Sequence, residues 1–299
     1  MKTIALCMFA LGCSSSSNTD IPDTGSTTND ASAAEISTQA DTGGSACTLT
    51  ANTTPTTVVS SSGCAVLDRD ASACAADRTN QGLSGFWLEF SCRVTLTSST
   101  GKVNAKADGQ PDYLSNYFPA DNVCHEVYTG AKQNPNDLLP KTYDIAFPTT
   151  SDNSPTVMQL GIVGLAVNGV PIFGNFAAPG DDIYVEADTF DRCAAHPTGG
   201  GMYHYHSEPL AISQDDDRFI GVLRDGYPVY GRKDMDGSYP TLDAQGGHTG
   251  TTKHSPTTPV YHYHVNMQTS SAQGTAGQTQ WFVTTGTYHG GPSACPDCN

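Results

Sequence analysis

The sequence predicts a mainly β protein, a sandwich or barrel-like domain with few helices, stabilised by disulfides and built on an internal duplication. Three observations carry the prediction. Runs of β-branched and aromatic residues, such as 85–97 with Phe86, Trp87, Phe90, Val94 and Leu96, are bounded by turn formers. The 30 glycines and 18 prolines would each weaken a helix interior. Two stretches of chain also repeat one another at an offset of about 57 to 58 residues.

Taken in order, Lys2, the apolar run Thr3 to Leu11 and Gly12-Cys13 read as a signal peptide over 1–12 that ends at a lipidation cysteine, Cys13. Ala10 and Leu11 depart from the usual residues before such a cysteine. Residues 13–45 are Ser, Thr, Asp, Asn, Gly and Ala with almost no large side chain, a composition that cannot bury enough surface to fold and is expected to be a tether. No later run approaches the roughly 20 apolar residues needed to cross a bilayer. The expected address is therefore the membrane surface of the cell envelope, reached through a lipid anchor alone, or secretion if Cys13 is not lipidated.

A Cys-rich β segment is expected over 46–104 and the main domain over 105–299. With 14 Lys and Arg against 30 Asp and Glu, the chain has no basic stripe to displace phosphate counterions, which argues against nucleic acid as a partner. Setting Cys7 and Cys13 aside leaves eight of the ten cysteines, an even number in an exported chain and thus a disulfide framework whose pairing the sequence does not choose. Cys295-Pro-Asp-Cys298 is expected to close as a structural disulfide.

The duplication is sharpest where Gly164-Leu-Ala-Val-Asn-Gly-Val-Pro-Ile-Phe-Gly174 matches Gly221-Val-Leu-Arg-Asp-Gly-Tyr-Pro-Val-Tyr-Gly231. Asn168-Gly169 and Asp225-Gly226 sit between apolar runs, which predicts a hairpin with a two-residue type I′ turn in each copy. The repeats span about 164–206 and 221–264, and each ends in a histidine unit: His196, His204 and His206, then His254, His262 and His264.

Side chains at i and i+2 of a strand share a face, so His204 with His206, and His262 with His264, can converge on one ion at about 2 Å. The third histidine of each unit would complete a three-nitrogen face. Imidazole suits zinc, copper, nickel or iron, with copper or zinc the expected transition metal. The intervening Tyr203, Tyr205, Tyr261 and Tyr263 should point to the opposite face and pack there.

His248 has no counterpart at Phe190 and is a further candidate ligand, as is His125 beside Cys124; His289 stands alone. Glu208, Asp225 and Asp243 are the carboxylates close enough in sequence to orient an imidazole or act as a general base. Asp225 is more simply a turn residue. Asp215-Asp-Asp217 reads as a solvated loop, and Asp234-Met-Asp-Gly237 resembles only the start of a calcium loop, so both are taken as structural. The chain contains no nucleophile elbow, phosphate loop or H-E-x-x-H helix.

Tyr203-His-Tyr-His206 and Tyr261-His-Tyr-His264 resemble the signature of the YHYH-domain family. Asn134-Pro-Asn136, the two hairpin segments and Leu242-Asp243 with Gly247-His-Thr249 are similar to that family's blocks, extending the likeness over about 105–270. The chain departs from the pattern at Ala244 and Gln245, where the family carries an acidic residue and a cysteine. The resemblance implies an exported domain and assigns no reaction. Three functions stay open: a metal-dependent extracytoplasmic enzyme, a metal-handling surface protein, and an adhesion or glycan-binding module.

Overall fold

The computed structural model describes residues 64, 69–128, 134–296 and 298, all within one compact unit, Gly44–Asn299. The expected signal peptide, tether and lipidation site at Cys13 lie outside the described residues. Helix α1 (Ser72–Asn80) is followed by a 3-10 turn, Gly85–Glu89, and then by strands β1 (Thr95–Ser99), β2 (Lys102–Ala107), β3 (Tyr143–Pro148), β4 (Thr156–Val157), β5 (Ile162–Ala166) and β6 (Pro171–Phe173). A short helix α2 (Ile183–Glu186) and a 3-10 turn, Ala187–Thr189, precede β7 (Ala195–Pro197), β8 (Tyr203–Tyr205), β9 (Phe219–Leu223) and β10 (Pro228–Tyr230). The described chain ends with β11 (Gly247–Thr252), β12 (Ser255–His264), β13 (Asn266–Thr269), β14 (Thr279–Phe282) and β15 (Thr287–Tyr288). The protein is mainly β, as predicted.

The stretch 85–97 is strand only from Thr95 onward. Arg78 explains the difference. Its guanidinium is buried and donates to the carbonyls of Phe90, Ser91 and Val94, which removes those groups from any sheet ladder. Phe86, Trp87 and Phe90 instead cross the core, packing against Phe147 and Phe219 with ring centroids 5.4 to 5.9 Å apart.

Two sheets dominate. β1, β2 and β3 form an antiparallel sheet, and the larger sheet runs β11-β12-β10-β9-β5-β6-β8-β7. Read from its centre outward, the large sheet is two copies of the same four-strand arrangement. In each copy a hairpin, β5–β6 or β9–β10, pairs through its second strand with a parallel YHYH strand, β8 or β12, which is flanked by an antiparallel edge strand, β7 or β11. The copies meet where β5 and β9 pair antiparallel, with Leu165 opposite Val222. A Cβ on Gly164 would stand 2.7 Å from the Val222 carbonyl oxygen, and one on Gly221 would strike that of Leu165, so the shared glycine permits the central contact. β8 and β12 are five strand steps apart, about 24 Å along the sheet.

The hairpin turns differ from the type I′ prediction. Gly169 and Gly226 have φ of +88° and +89°, but Asn168 and Asp225 are not in the positive-φ region that type I′ also requires. Ala166 N–H bonds Val170 O and Gly169 N–H bonds Ala166 O; Leu223, Tyr227 and Gly226 repeat the pattern. These are three-residue loops ending in a left-handed glycine. Both loops dock on the smaller sheet: a Cβ on Gly169 would lie 3.0 Å from Val94 and 3.2 Å from Ala107, and one on Gly226 would strike the Pro148 carbonyl. The result is a sandwich-like packing.

Disulfides join Cys64 to Cys193, Cys74 to Cys92 and Cys295 to Cys298, and Cys124 is also disulfide-bonded. The expected C-P-D-C closure is present. Such bonds belong to an oxidising, extracytoplasmic compartment. Among the described residues, no helix is long and apolar enough to cross a membrane.

Candidate functional site: two histidine centres

Strand alternation separates the YHYH side chains as predicted. The tyrosines of β8 point into a buried network: Tyr203 bonds Asp191, and Tyr205 accepts from Asn168 at 3.1 Å and contacts Tyr113 at 2.7 Å. The tyrosines of β12 repeat the scheme, with Tyr261 donating to Asp243 at 3.0 Å and Tyr263 to Asp225 at 2.5 Å. In each copy the first tyrosine grips the aspartate before the edge strand and the second grips the hairpin-turn residue.

The histidines occupy the other face. In the first centre His196 stands opposite His204 across the β7–β8 hairpin, and the Nε2 atoms of His196, His204 and His206 lie 3.1 and 2.9 Å apart in succession. Each Nδ1 is anchored. That of His204 bonds Met202 O at 2.9 Å and that of His206 bonds Gly174 O. That of His196 meets Thr189 Oγ1 at 2.7 Å, and the same hydroxyl donates to Glu186 O. A carbonyl only accepts, and the Thr189 hydrogen is already committed, so all three Nδ1 atoms carry the proton and all three Nε2 lone pairs face one another.

Burial, and then His206, pushes the His196 imidazole down to about 3; burial pushes His206 to about 4 and holds His204 well below the ordinary value. Three neutral imidazoles with converging lone pairs form a cation-holding geometry. A tetrahedral metal at about 2.1 Å would hold its nitrogens about 3.4 Å apart. His204 and His206 open onto a cleft of about 610 Å³ walled by Leu160, Phe173, Phe176 and Met202. Glu186 also lines it, with Oε1 3.8 Å from His196 Nε2 and Oε2 buried without a hydrogen-bond partner.

The second centre has the same strand scaffold and a different third histidine. His248, not His254, stands opposite His262 across the β11–β12 hairpin, with Nε2 atoms 3.1 Å apart. His262 Nδ1 bonds Val260 O at 3.0 Å and His264 Nδ1 bonds Gly231 O at 2.7 Å, matching the anchors of the first centre. Asp234 Oδ1 completes the group, lying 3.2, 3.5 and 3.4 Å from Nε2 of His248, His262 and His264. Burial lowers His262 and pushes His264 down to about 4. The adjoining cavity is only about 10 Å³, and His248 and Asp234 are partly exposed.

The expectation for His254 is corrected by hairpin length. His196 precedes His204 by eight positions, whereas His248 precedes His262 by fourteen. Counting eight back from His262 therefore lands in the turn between Thr252 and Ser255. There His254 lies between Tyr230 Oη and Glu89 Oε1, each at 2.8 Å. It lines a separate cleft of about 400 Å³ with Trp87 and Tyr227.

His125 joins neither centre and bonds Phe118 O through Nδ1. Glu208, expected as a base, is buried and locked by Arg232 at 2.5 Å and Ser213 at 2.9 Å. Asp225 and Asp243 serve the tyrosines on the opposite face. Asp234, expected to be structural, is instead a ligand-position carboxylate, and Glu186 was not singled out. Asp234 follows Gly231, whose carbonyl anchors His264, and that proximity to the end of the matched hairpin segment was the available signal.

Two spatially separate groups that could hold a metal, His196/His204/His206 and Asp234/His248/His262/His264, define a duplicated β domain with histidine faces at opposite ends of one sheet. Residues 142–239 match the model of the family described as YHYH protein. The match contains the first YHYH sequence and stops before the second. No curated protein and no solved structure matches the chain.

Proposed function

We propose that the protein is an exported metalloprotein with two zinc or copper ions per chain, an open and reactive one at His196, His204 and His206 and a closed structural one at Asp234, His248, His262 and His264. The observation that carries this reading is the difference between otherwise matched centres. Three nitrogens facing a cleft leave a metal position for a substrate or water, while three nitrogens plus a carboxylate against an almost absent cavity fill a tetrahedron. A metal at the first centre would supply a polarised water or a Lewis-acid contact. Anchored Nδ1 protons fix the rings for either role. Cys13 is proposed to carry the lipid that holds the domain at the membrane surface.

The test is elemental analysis of the full chain, exported so that its disulfides form and purified without a histidine tag. Zinc or copper loading followed by desalting should leave two equivalents. His204→Ala with His206→Ala should leave one, as should His262→Ala with His264→Ala. A chain that retains no metal, or variants that retain both equivalents, would overturn the reading.

A further inference from the structure

We propose that Glu186 is the catalytic proton acceptor of a hydrolytic reaction at the first centre, acting on a metal-held water, with apolar acyl or aryl esters or amides as the substrate class. This rests on the reading of His196, His204 and His206 as a metal site.

The second centre supplies an internal standard for where a ligating carboxylate must be. Asp234 Oδ1 lies within 3.5 Å of all three Nε2 atoms around it. Glu186 comes within 3.8 Å of His196 Nε2 alone and is not part of the mutually close ligand group. Set farther from the three nitrogens than Asp234 is from its own, such an oxygen is placed to accept from a ligated water. Its Oε2 is buried without a hydrogen-bond partner, so an acceptor stands beside the centre with its lone pairs unspent.

The placement is enforced. Glu186 ends α2, whose first turn is capped by Asp182, and its carbonyl accepts from the Thr189 hydroxyl that also receives the His196 Nδ1–H. One hydroxyl thus fixes the base's backbone to a ligand's ring. In front of both, Leu160, Phe173, Phe176 and Met202 make the cleft wall apolar, and Phe173 stacks on His204 at 3.9 Å. Its volume, about 610 Å³, is that of a small-molecule site.

In the reaction the water gives one proton to the Glu186 carboxylate while its oxygen bonds the acyl carbon and the carbonyl π pair moves to the carbonyl oxygen. When that pair returns, the acyl–oxygen or acyl–nitrogen bond breaks and the leaving group takes the proton from Glu186. The products are a carboxylic acid and an alcohol or amine. No oxidant or reductant is consumed.

The experiment uses the zinc-loaded full chain with p-nitrophenyl acetate, hexanoate and benzoate. The wild type should hydrolyse the hexanoate or benzoate ester faster than the His204→Ala, His206→Ala variant. Glu186→Gln should keep both zinc equivalents and a KM within about twofold, with kcat reduced about 100-fold or more. Loss of one zinc in Glu186→Gln would make Glu186 a ligand and overturn the proposal. Wild-type turnover in Glu186→Gln, or a zinc-replete wild type no faster than the histidine variant, would also overturn it. A wild type that holds no zinc instead fails the underlying metal reading. If near-ultraviolet circular dichroism shows Glu186→Gln unfolded, Glu186→Ala is judged by the same outcomes.

Discussion

Holding His206 neutral inside the protein should make the metal-free domain sensitive to mild acid by a calculable amount. Its folded-state value is pushed down by burial to about 4, against 6.5 for the exposed ring. The unfolded chain therefore takes up the proton first. The contribution is fully present above about pH 6.5 and is lost progressively as pH falls toward 4. Between pH 6.5 and 5.0, 1.5 units at 1.36 kcal/mol per unit amount to about 2 kcal/mol from this ring.

Urea unfolding of chelator-treated protein at several pH values would measure that loss. The raised carboxyls of Asp191, Glu208 and Asp225, each driven up by burial, act in the opposite direction. Comparison with His206→Gln removes their contribution. The difference in unfolding free energy between wild type and variant should shrink by about 2 kcal/mol from pH 6.5 to 5.0. Parallel curves would refute the claim that the ring is neutral and buried. Saturating zinc should steepen the wild-type curve, since protons and metal compete for Nε2.

Four further outcomes follow from particular contacts. His254→Ala should leave metal stoichiometry at the wild-type value while His248→Ala or Asp234→Ala removes the second metal, read by elemental analysis. Gly226→Ala forces a side chain into a left-handed position and against the Pro148 carbonyl, so it should cost roughly 2–4 kcal/mol and lower Tm by roughly 5–12 °C in a calorimetric scan. Ala194 has φ of +69°, where its counterpart is Gly246 at +84°, and Ala194→Gly should raise stability by roughly 0.5–1 kcal/mol in urea unfolding. Tyr263→Phe should cost about 2 kcal/mol by the same measurement, because the Asp225 carboxylate loses a buried donor.

Much of this arrangement is legible in the chain because local chemistry reports itself locally. Alternation in Tyr203-His-Tyr-His206 separates core from histidine face, and Asn168-Gly169 and Asp225-Gly226 announce their hairpins. The turn type was less legible: loops of two and three residues can use the same Asn-Gly or Asp-Gly pair, and docking on Val94, Ala107 and Pro148 accompanies the longer one. His248 was legible only as a further candidate and His254 took its place in the unit, because an edge strand is assigned by pairing, not by counting back, and the β11–β12 hairpin is longer than β7–β8. Asp234 and Glu186 arrive from loop and short-helix segments with no periodicity to mark them. Arg78 likewise converts a strand-like stretch into a loop through side-chain bonds that composition does not encode.

The tyrosines opposite the histidines also guard the register of the two strands. A slip of β8 by one residue would turn the imidazoles into the core and the phenols outward, and it would break the bonds to Asp191 and Asn168 in the same movement. Two unrelated penalties thus fall on a single error. A nascent chain that pairs its phenols correctly has already aligned its imidazoles, so the histidine face is set by the core before anything binds to it.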